Sequence, residues 1–244
     1  MNLSFYTASV GAWQQQERLN VHGNNIANVN NYGFKAKRPV FSDLMYDYIN
    51  GAQGDELPRG TGAYVVSADT DFSSNGYADT GRAMDYAING DGFFALWDPA
   101  TGDYSYTRDG SFIMSEYQIE GDDGQLESHW YLSDGFGRFV MGRNGRMVEV
   151  TDENREKELP VGIYDFVNTN GMENIGENRF VPVEKNGQLR VGAGTLLQGY
   201  LENSNVDLAN ELSKVIESQR SFTYALKMIQ ASDEIETTVN DLRS

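Results

Sequence analysis

Residues 207–244 read DLANELSKVIESQRSFTYALKMIQASDEIETTVNDLRS, and the spacing of their apolar side chains decides the fold. Leu208, Leu212, Val215, Gln219, Phe222, Leu226 and Ile229 recur at alternating steps of four and three, the repeat of a coiled-coil seam. Asp207 or Asn205 is placed to cap the start, and neither proline nor glycine interrupts residues 200–244. A helix of more than about 30 residues spans roughly 45 Å and needs a partner along its apolar face. After Ile229 the row changes phase to Ile235, Val239 and Leu242, so burial beyond that point requires a different helix face or a small distortion.

The partner is expected at the other end of the chain. Leu3, Tyr6, Val10 and Trp13, then Leu19, His22, Ile26 and Val29, give helical spacing over residues 3–29. Asn30, Asn31 and Gly33 supply a stop, and the spacing predicts a helix ending near Asn28. Leu3, Val10, Trp13, Leu19 and Ile26 are the residues expected to oppose Leu208, Leu212, Val215, Phe222, Leu226 and Ile229. The pairing is read either as one hairpin within the chain or as packing shared with neighbours.

Between the ends the period becomes strand-like. Asn or Asp precedes glycine at Asn89, Asp91, Asp109, Asp123, Asp134, Asn144, Asn170 and Asn186, the chemistry of tight hairpin turns. The intervening segments predict strands at Ala87–Ile88 with Phe93–Trp97, and at Tyr104–Thr107, Gln125–Leu132, Arg138–Met141, Met147–Val150, Ile163–Val167, Phe180–Val183 and Gln188–Val191. Glycines at 51, 54, 60, 62, 76 and 81 suggest a loop-rich connector, and Asp152 to Glu158 reads as a solvated excursion. The fold class expected is α+β. Long N- and C-terminal helices form an antiparallel coiled-coil-like pair, and a mainly antiparallel β domain lies between them. The expected division is 1–40 with 200–244 as a terminal helical assembly domain, 41–82 as connector and 83–199 as β domain.

The 244 residues carry 36 acidic and 19 basic side chains, a net charge of −17, and no cysteine. Without cysteine there is no disulfide frame, thiolate nucleophile or thiolate metal site. The two histidines, His22 and His129, cannot make a three-histidine metal centre, and both read as packing residues without an identifiable acid partner. Lys35, Lys37 and Arg38 are too few for a nucleic-acid footprint. No apolar run reaches the roughly 20 residues that span a bilayer, and residues 1–10 lack the pattern of a cleavable leader. The Asp122–Asp123 pair lacks the spacing of a calcium loop. Gly135-Phe-Gly137 and Gly192-Ala-Gly194 lack a strand–loop–helix context, and no nucleophile motif is present. Neither cofactor, metal nor catalytic residue is expected.

The most informative residues are Asn24-Asn-Ile-Ala-Asn-Val-Asn-Asn-Tyr-Gly-Phe-Lys35 and Gly199-Tyr-Leu-Glu-Asn-Ser-Asn-Val-Asp207, the latter followed by Glu211 and Gln219-Arg220. A third set is Asp85-Tyr-Ala-Ile-Asn-Gly-Asp-Gly-Phe-Phe94 with Tyr106-Thr-Arg-Asp-Gly-Ser-Phe112. Together they resemble the bacterial flagellar basal-body rod and hook protein family. Length and the segment Phe41-Ser-Asp-Leu-Met-Tyr46 are most similar to its distal rod branch, with the proximal rod and short hook branches as alternatives.

The resemblance implies a structural subunit that polymerises into the axial tube transmitting torque from motor to hook. It further implies self-association, contacts with other rod and hook subunits, and export by the flagellar type III apparatus without a cleavable signal peptide. Gln219 and Arg220 join the helical rows as expected subunit contacts, although Arg220 also suits an i,i−3 pair with Glu217. Asn24, Asn25, Asn28, Gly33, Phe34, Asn203 and Asn205 are expected to shape the loops flanking the helices through amide bonds, positive φ and aromatic anchoring. A soluble β-domain binding module with a helical stalk is the competing class.

Overall fold

The computed structural model describes residues 3–44, 46–50, 56–120, 126–155 and 157–242. Helix α1 runs Leu3–Ala27 and α2 runs Leu208–Asp241. Asp207 caps α2, its carboxylate accepting the Ala209 and Asn210 N–H groups at 3.0 and 3.2 Å. Two compact units result, one of residues 1–27, 37–71 and 206–244, the other of residues 28–36 and 72–205.

This division departs from the expected 1–40, 41–82 and 83–199. Residues 28–36 and 200–205 belong with the β unit. Most of the expected connector is paired strand: Lys37–Asp43 lies antiparallel to Ala63–Thr70, with a bulge between Val40 and Phe41, and Tyr46–Asn50 lies antiparallel to Glu56–Gly60. Lys37–Asp43 alternates half-buried and exposed residues with a phase slip at the bulge, and Ala63–Thr70 is mostly exposed, so no apolar–polar alternation marks the ribbon in the sequence.

In the helical unit α1 and α2 pack antiparallel, as His22 and Arg18 of α1 meet Glu211 and Glu217 of α2. The row of α2 that lies on α1 is not the predicted one. Glu211, Val215, Ser218, Phe222, Ala225, Ile229 and Ser232 are buried or half-buried at steps of four and three. On α1, Arg18, His22 and Asn25 bond to α2.

Of the residues expected on the seam, Val215, Phe222 and Ile229 lie on it. Leu208, Leu212, Gln219 and Leu226 stand roughly a quarter turn away at about 3.6 residues per turn, with Leu212 47% and Leu226 40% exposed. Arg18 bonds to Glu217, and His22 and Asn25 to Glu211, across the seam, while Leu208, Leu212 and Leu226 face outward. Carried along the pair, the register sets Leu3 near Ala231, so the last turns of α2 run about 15 Å past the start of α1.

In the β unit seven antiparallel strands lie in the spatial order Glu173–Gly176, Arg179–Val181, Tyr104–Thr107, Phe94–Trp97, Phe139–Val140, Leu126–Ser133 and Ile113–Glu120. The strand Phe94–Trp97 is buried on both faces. Phe94 and Leu96 join a core with Tyr86, Ile88, Phe112, Leu132 and Val140, while Phe93 and Ala95 join another with Tyr106, Phe166, Met172 and Phe180. That is the period of two read directly from Phe93-Phe-Ala-Leu96.

Smaller pairs join Tyr86–Asn89 to Thr195–Gln198, Tyr77–Asp79 to Tyr200–Glu202 and Tyr164–Phe166 to Leu189–Val191. The predicted strand Met147–Val150 is reduced to isolated bridges, Met147 to Met141 and Glu149 to Tyr131. The Asp123–Gly124 turn and the Asp122–Asp123 pair lie outside the described residues.

The displaced seam gives a direct test. Ser218 is fully buried and Gln219 exposed. Ser218→Asp is expected to cost about 2 kcal/mol or more by burying an unpaired charge, and Gln219→Asp less than about 0.5. Helix content by circular dichroism across a denaturant titration of the full chain separates the two.

Candidate functional site

In the helical unit the chemistry gathers where α1 ends. Glu211 is buried in the first turn of α2, where a carboxylate also favours the positive end of the helix dipole. Its Oε2 lies 2.6 Å from His22 Nδ1 and accepts Asn25 Nδ2 at 3.1 Å, while Oε1 accepts Lys214 Nζ at 3.0 Å. Burial alone raises the Glu211 pKa, but the bonds from Asn25, His22 and Lys214 outweigh it and hold the carboxyl below its ordinary 4.5. Asn25 also binds the chain after the turn: its Nδ2 donates to the Lys37 carbonyl at 2.8 Å and its Oδ1 accepts the Lys37 N–H at 2.9 Å. A single amide thereby joins α1, α2 and the strand Lys37–Asp43. Farther along, Arg18 takes Glu217 at 3.1 Å, so Glu217 is paired across the seam and Arg220, expected as its partner, is exposed.

The remaining expected contacts divide into two classes. Val10, Leu19 and Ile26 are half-buried, whereas Trp13 is 67% exposed. Leu208, Leu212, Gln219, Arg220 and Leu226 are exposed on α2. Leu3 opens α1, but its side chain lies outside the described residues. Tyr6, Trp13, Leu208, Leu212, Ile216 and Leu226 thus leave large apolar side chains in solvent on the helix pair, outside the seam that holds Val215, Phe222 and Ile229.

In the β unit the three motif regions meet at one buried set of charges. Lys35 and Glu202 have no exposed side-chain surface, and Arg108 has almost none. Lys35 Nζ donates to Glu202 Oε1 at 2.7 Å and to the Ser73 carbonyl at 2.8 Å. Arg108 donates to Glu202 Oε2 at 3.2 Å and to the Gly90 carbonyl at 3.0 Å, with its guanidinium over the Phe93 ring at 5.4 Å.

The backbone follows the same meeting point. Gly33 donates its N–H to the Glu202 carbonyl at 2.8 Å and has φ +66°. A Cβ there would stand 2.6 Å from the Arg108 carbonyl carbon, against the Asp109 backbone, so only glycine fits. Gly110 is packed as tightly on the Tyr86 carbonyl, which joins the two halves of the third motif.

The loop residues expected from the motifs are placed around this junction, except those on α1. Asn205 accepts the Ala36 N–H at 2.7 Å and donates to the Ser73 carbonyl at 3.2 Å, the same carbonyl that receives Lys35. The Asn203 N–H reaches the Gly76 carbonyl at 3.0 Å. Asn28 accepts the Asn31 amide at 2.7 Å and Phe34 is buried. Asn24 is exposed on α1, and Asn25 serves the helical unit as described. Lys35, Arg108 and Glu202 were each quoted within a motif yet not singled out as site residues, because a charge inside a motif carries no sign of burial until its partners are known.

His129, expected to lack an acid partner, has two: Nδ1 lies 2.8 Å from Glu149 Oε1 and Nε2 3.4 Å from Glu127 Oε2. The Glu149 bond, with a smaller contribution from Glu127, raises its pKa above the ordinary value. Among the described residues no group of three or more His, Asp or Glu is arranged to hold a metal ion, and no helix is long and apolar enough to cross a membrane.

Two outcomes test these placements. Glu202→Ala removes the carboxylate shared by the buried Lys35 and Arg108 and is expected to cost about 3–5 kcal/mol, read as a lowered denaturant midpoint of Trp97 and Trp130 fluorescence. Glu211 has a depressed folded pKa, so its contribution is complete above about 4.5 and is lost as pH falls through the lower folded value. Helix content of the full chain is expected to drop in that acid range, and Glu211→Gln to flatten the dependence.

The sequence comparisons fall on the same elements. Residues 5–35 match the family description "Flagella basal body rod protein", residues 87–129 "Flagellar hook protein FlgE/F/G D1 domain", and residues 197–242 "Flagellar basal body rod FlgEFG protein C-terminal". The flagellar basal-body rod protein FlgG of Buchnera aphidicola subsp. Schizaphis graminum is 34% identical over 98% of this chain and 99% of its own length. FlgG of Bacillus subtilis is 32% identical over 95% of this chain and 96% of its own length. The rod protein FlgF of Rhizobium meliloti is 28% identical over 96% of this chain and 94% of its own length. With the matched segments at α1, the buried charge junction and α2, and relatives aligned end to end, the chain belongs to the flagellar basal-body rod protein family.

Proposed function

We propose that this chain is the distal rod subunit, polymerising through the outward rows of α1 and α2 into the axial tube that carries torque from motor to hook. The observation that carries the reading is the mismatch on the helix pair. The contact between the helices uses Arg18, His22, Asn25 and Glu211 together with Val215, Phe222 and Ile229, while Trp13, Leu208, Leu212 and Leu226 stay in solvent. Exposed apolar rows of this size favour a partner surface, since each removed Å² contributes about 25 cal/mol. Repetition along a helical array of heterologous contacts supplies that partner without a closed ring.

The distal position is favoured by the FlgG relatives, whose identity runs from 28 to 34%, against 28% to the FlgF of Rhizobium meliloti over comparable coverage. The proposed partners are copies of itself, the adjoining rod and hook subunits and, before assembly, the flagellar type III export apparatus, which needs no cleavable signal. Its role is mechanical, without turnover of a substrate. Within the chain the helical unit is the assembly domain.

Replacing Leu208, Leu212 and Leu226 together by Asp is expected to leave the circular dichroism of the monomer unchanged and to abolish incorporation into isolated basal bodies and motility. Normal incorporation of that variant would overturn the proposed surface. Near-native reconstruction of the isolated rod, locating the chain along the axis, tests the distal position.

A further inference from the structure

The asparagine–glycine steps that shape the turns have a second chemistry. The glycine N–H following an asparagine, once deprotonated, attacks the side-chain Cγ, and the C–N bond that forms closes a succinimide as the Cγ–Nδ2 bond breaks and ammonia leaves. Water then opens either ring carbonyl, giving aspartate or isoaspartate. The step is intramolecular, so its rate depends on freedom of the amide, access of water and stabilisation of negative charge on the attacking nitrogen. Five such steps have both residues described: Asn75, Asn89, Asn144, Asn170 and Asn186.

Four of them are held. Asn186 is fully buried, with Nδ2 donating to the Asn168 and Asn170 carbonyls at 2.8 and 3.1 Å and Oδ1 accepting the Val183 N–H at 2.6 Å. Asn75 donates its amide to the Ser204 carbonyl at 3.1 Å. Asn89 lies in a strand paired with Thr195, its Oδ1 3.4 Å from the Tyr77 hydroxyl. At Asn144 the Oδ1 accepts the Arg146 N–H at 3.1 Å, and the attacking group is itself engaged, the Gly145 N–H donating to the Gly142 carbonyl at 3.0 Å.

Asn170 is exposed, as Asn75, Asn89 and Asn144 are, but differs in its bonding: among the described residues neither its side-chain amide nor the Gly171 N–H has a hydrogen-bond partner. The backbone around it is nonetheless anchored, the Asn170 N–H donating to Asn168 Oδ1 at 3.0 Å and its carbonyl accepting Asn186 Nδ2. Gly171 has φ +73°, and the Lys185 ammonium packs directly on it, where a Cβ would collide with Nζ. A cation at that point favours the deprotonated amide nitrogen and the oxyanion that follows.

We infer that Asn170 is the described asparagine most prone to spontaneous deamidation in the folded chain, with Lys185 promoting it. The product is a new carboxylate beside Lys185. In the isoaspartate form the added backbone methylene moves the residue 170 carbonyl away from Asn186, which otherwise ties the turn at 168–171 to the turn at 183–187.

The test is peptide mapping by mass spectrometry of the purified full chain during incubation at mildly alkaline pH. The Asn170 peptide is expected to gain about one dalton ahead of those carrying Asn75, Asn89, Asn144 and Asn186, and to split into two isomers, one a substrate for isoaspartyl methyltransferase. Lys185→Gln is expected to slow Asn170 relative to Asn144 in the same molecule, and in denaturant the ordering should vanish. Any of the other four overtaking Asn170 in the native chain, an unchanged ratio in Lys185→Gln, or the same ordering in denaturant would overturn the assignment.

Discussion

Glu202 holds two cations, Lys35 and Arg108, in a place that water does not reach, and the β unit is organised around that fact. Three segments far apart in sequence each supply one member, so the Glu202 carboxylate meets both of its cations only when all three segments are in place. A buried ion pair is rarely a large net source of stability, yet losing one partner is severely destabilising. That asymmetry favours one arrangement, since a misregistered one withdraws the carboxylate from the buried cations. The surrounding contacts follow from it. Gly33 must approach the Arg108–Asp109 backbone because its neighbour Lys35 has to reach Glu202, and Ser73 is drawn in to accept both Lys35 and Asn205.

The helical unit applies a different rule. Its internal seam sets a polar cluster beside Val215, Phe222 and Ile229, and Glu211 is satisfied there by three donors. A pair held this way is specific in register, since sliding α2 by one turn breaks the Glu211 and Glu217 contacts together. The apolar side chains are then available on the outside. For a subunit whose work is done in an array, this separates the two tasks that a helix hairpin performs, fixing its own geometry with hydrogen bonds and presenting apolar surface to others.

The sequence made the elements legible where burial obeys a period. Phe93-Phe-Ala-Leu96 announces a strand buried on both faces, Asp207 announces a cap, and the uninterrupted run after it announces a long helix. The seam itself was misread because Leu208, Leu212 and Leu226 keep the same four-and-three spacing as the true row one position away, and periodicity carries no information about which stripe meets which neighbour. The ribbon Lys37–Asp43 with Ala63–Thr70 escaped because an exposed two-stranded pair has no core face to betray it. The charge junction escaped for a third reason: Lys35, Arg108 and Glu202 are ordinary surface residue types, and only long-range topology turns them into buried partners.

The unequal helices have a mechanical meaning. Because α2 extends about 15 Å beyond the start of α1, the hairpin is stepped at that end. In the proposed array the projecting end of α2 overlaps a neighbouring copy, which makes the contact a lap joint. A lap joint bears twist as shear spread over its overlap length, and it has no single plane at which a rotating column could part.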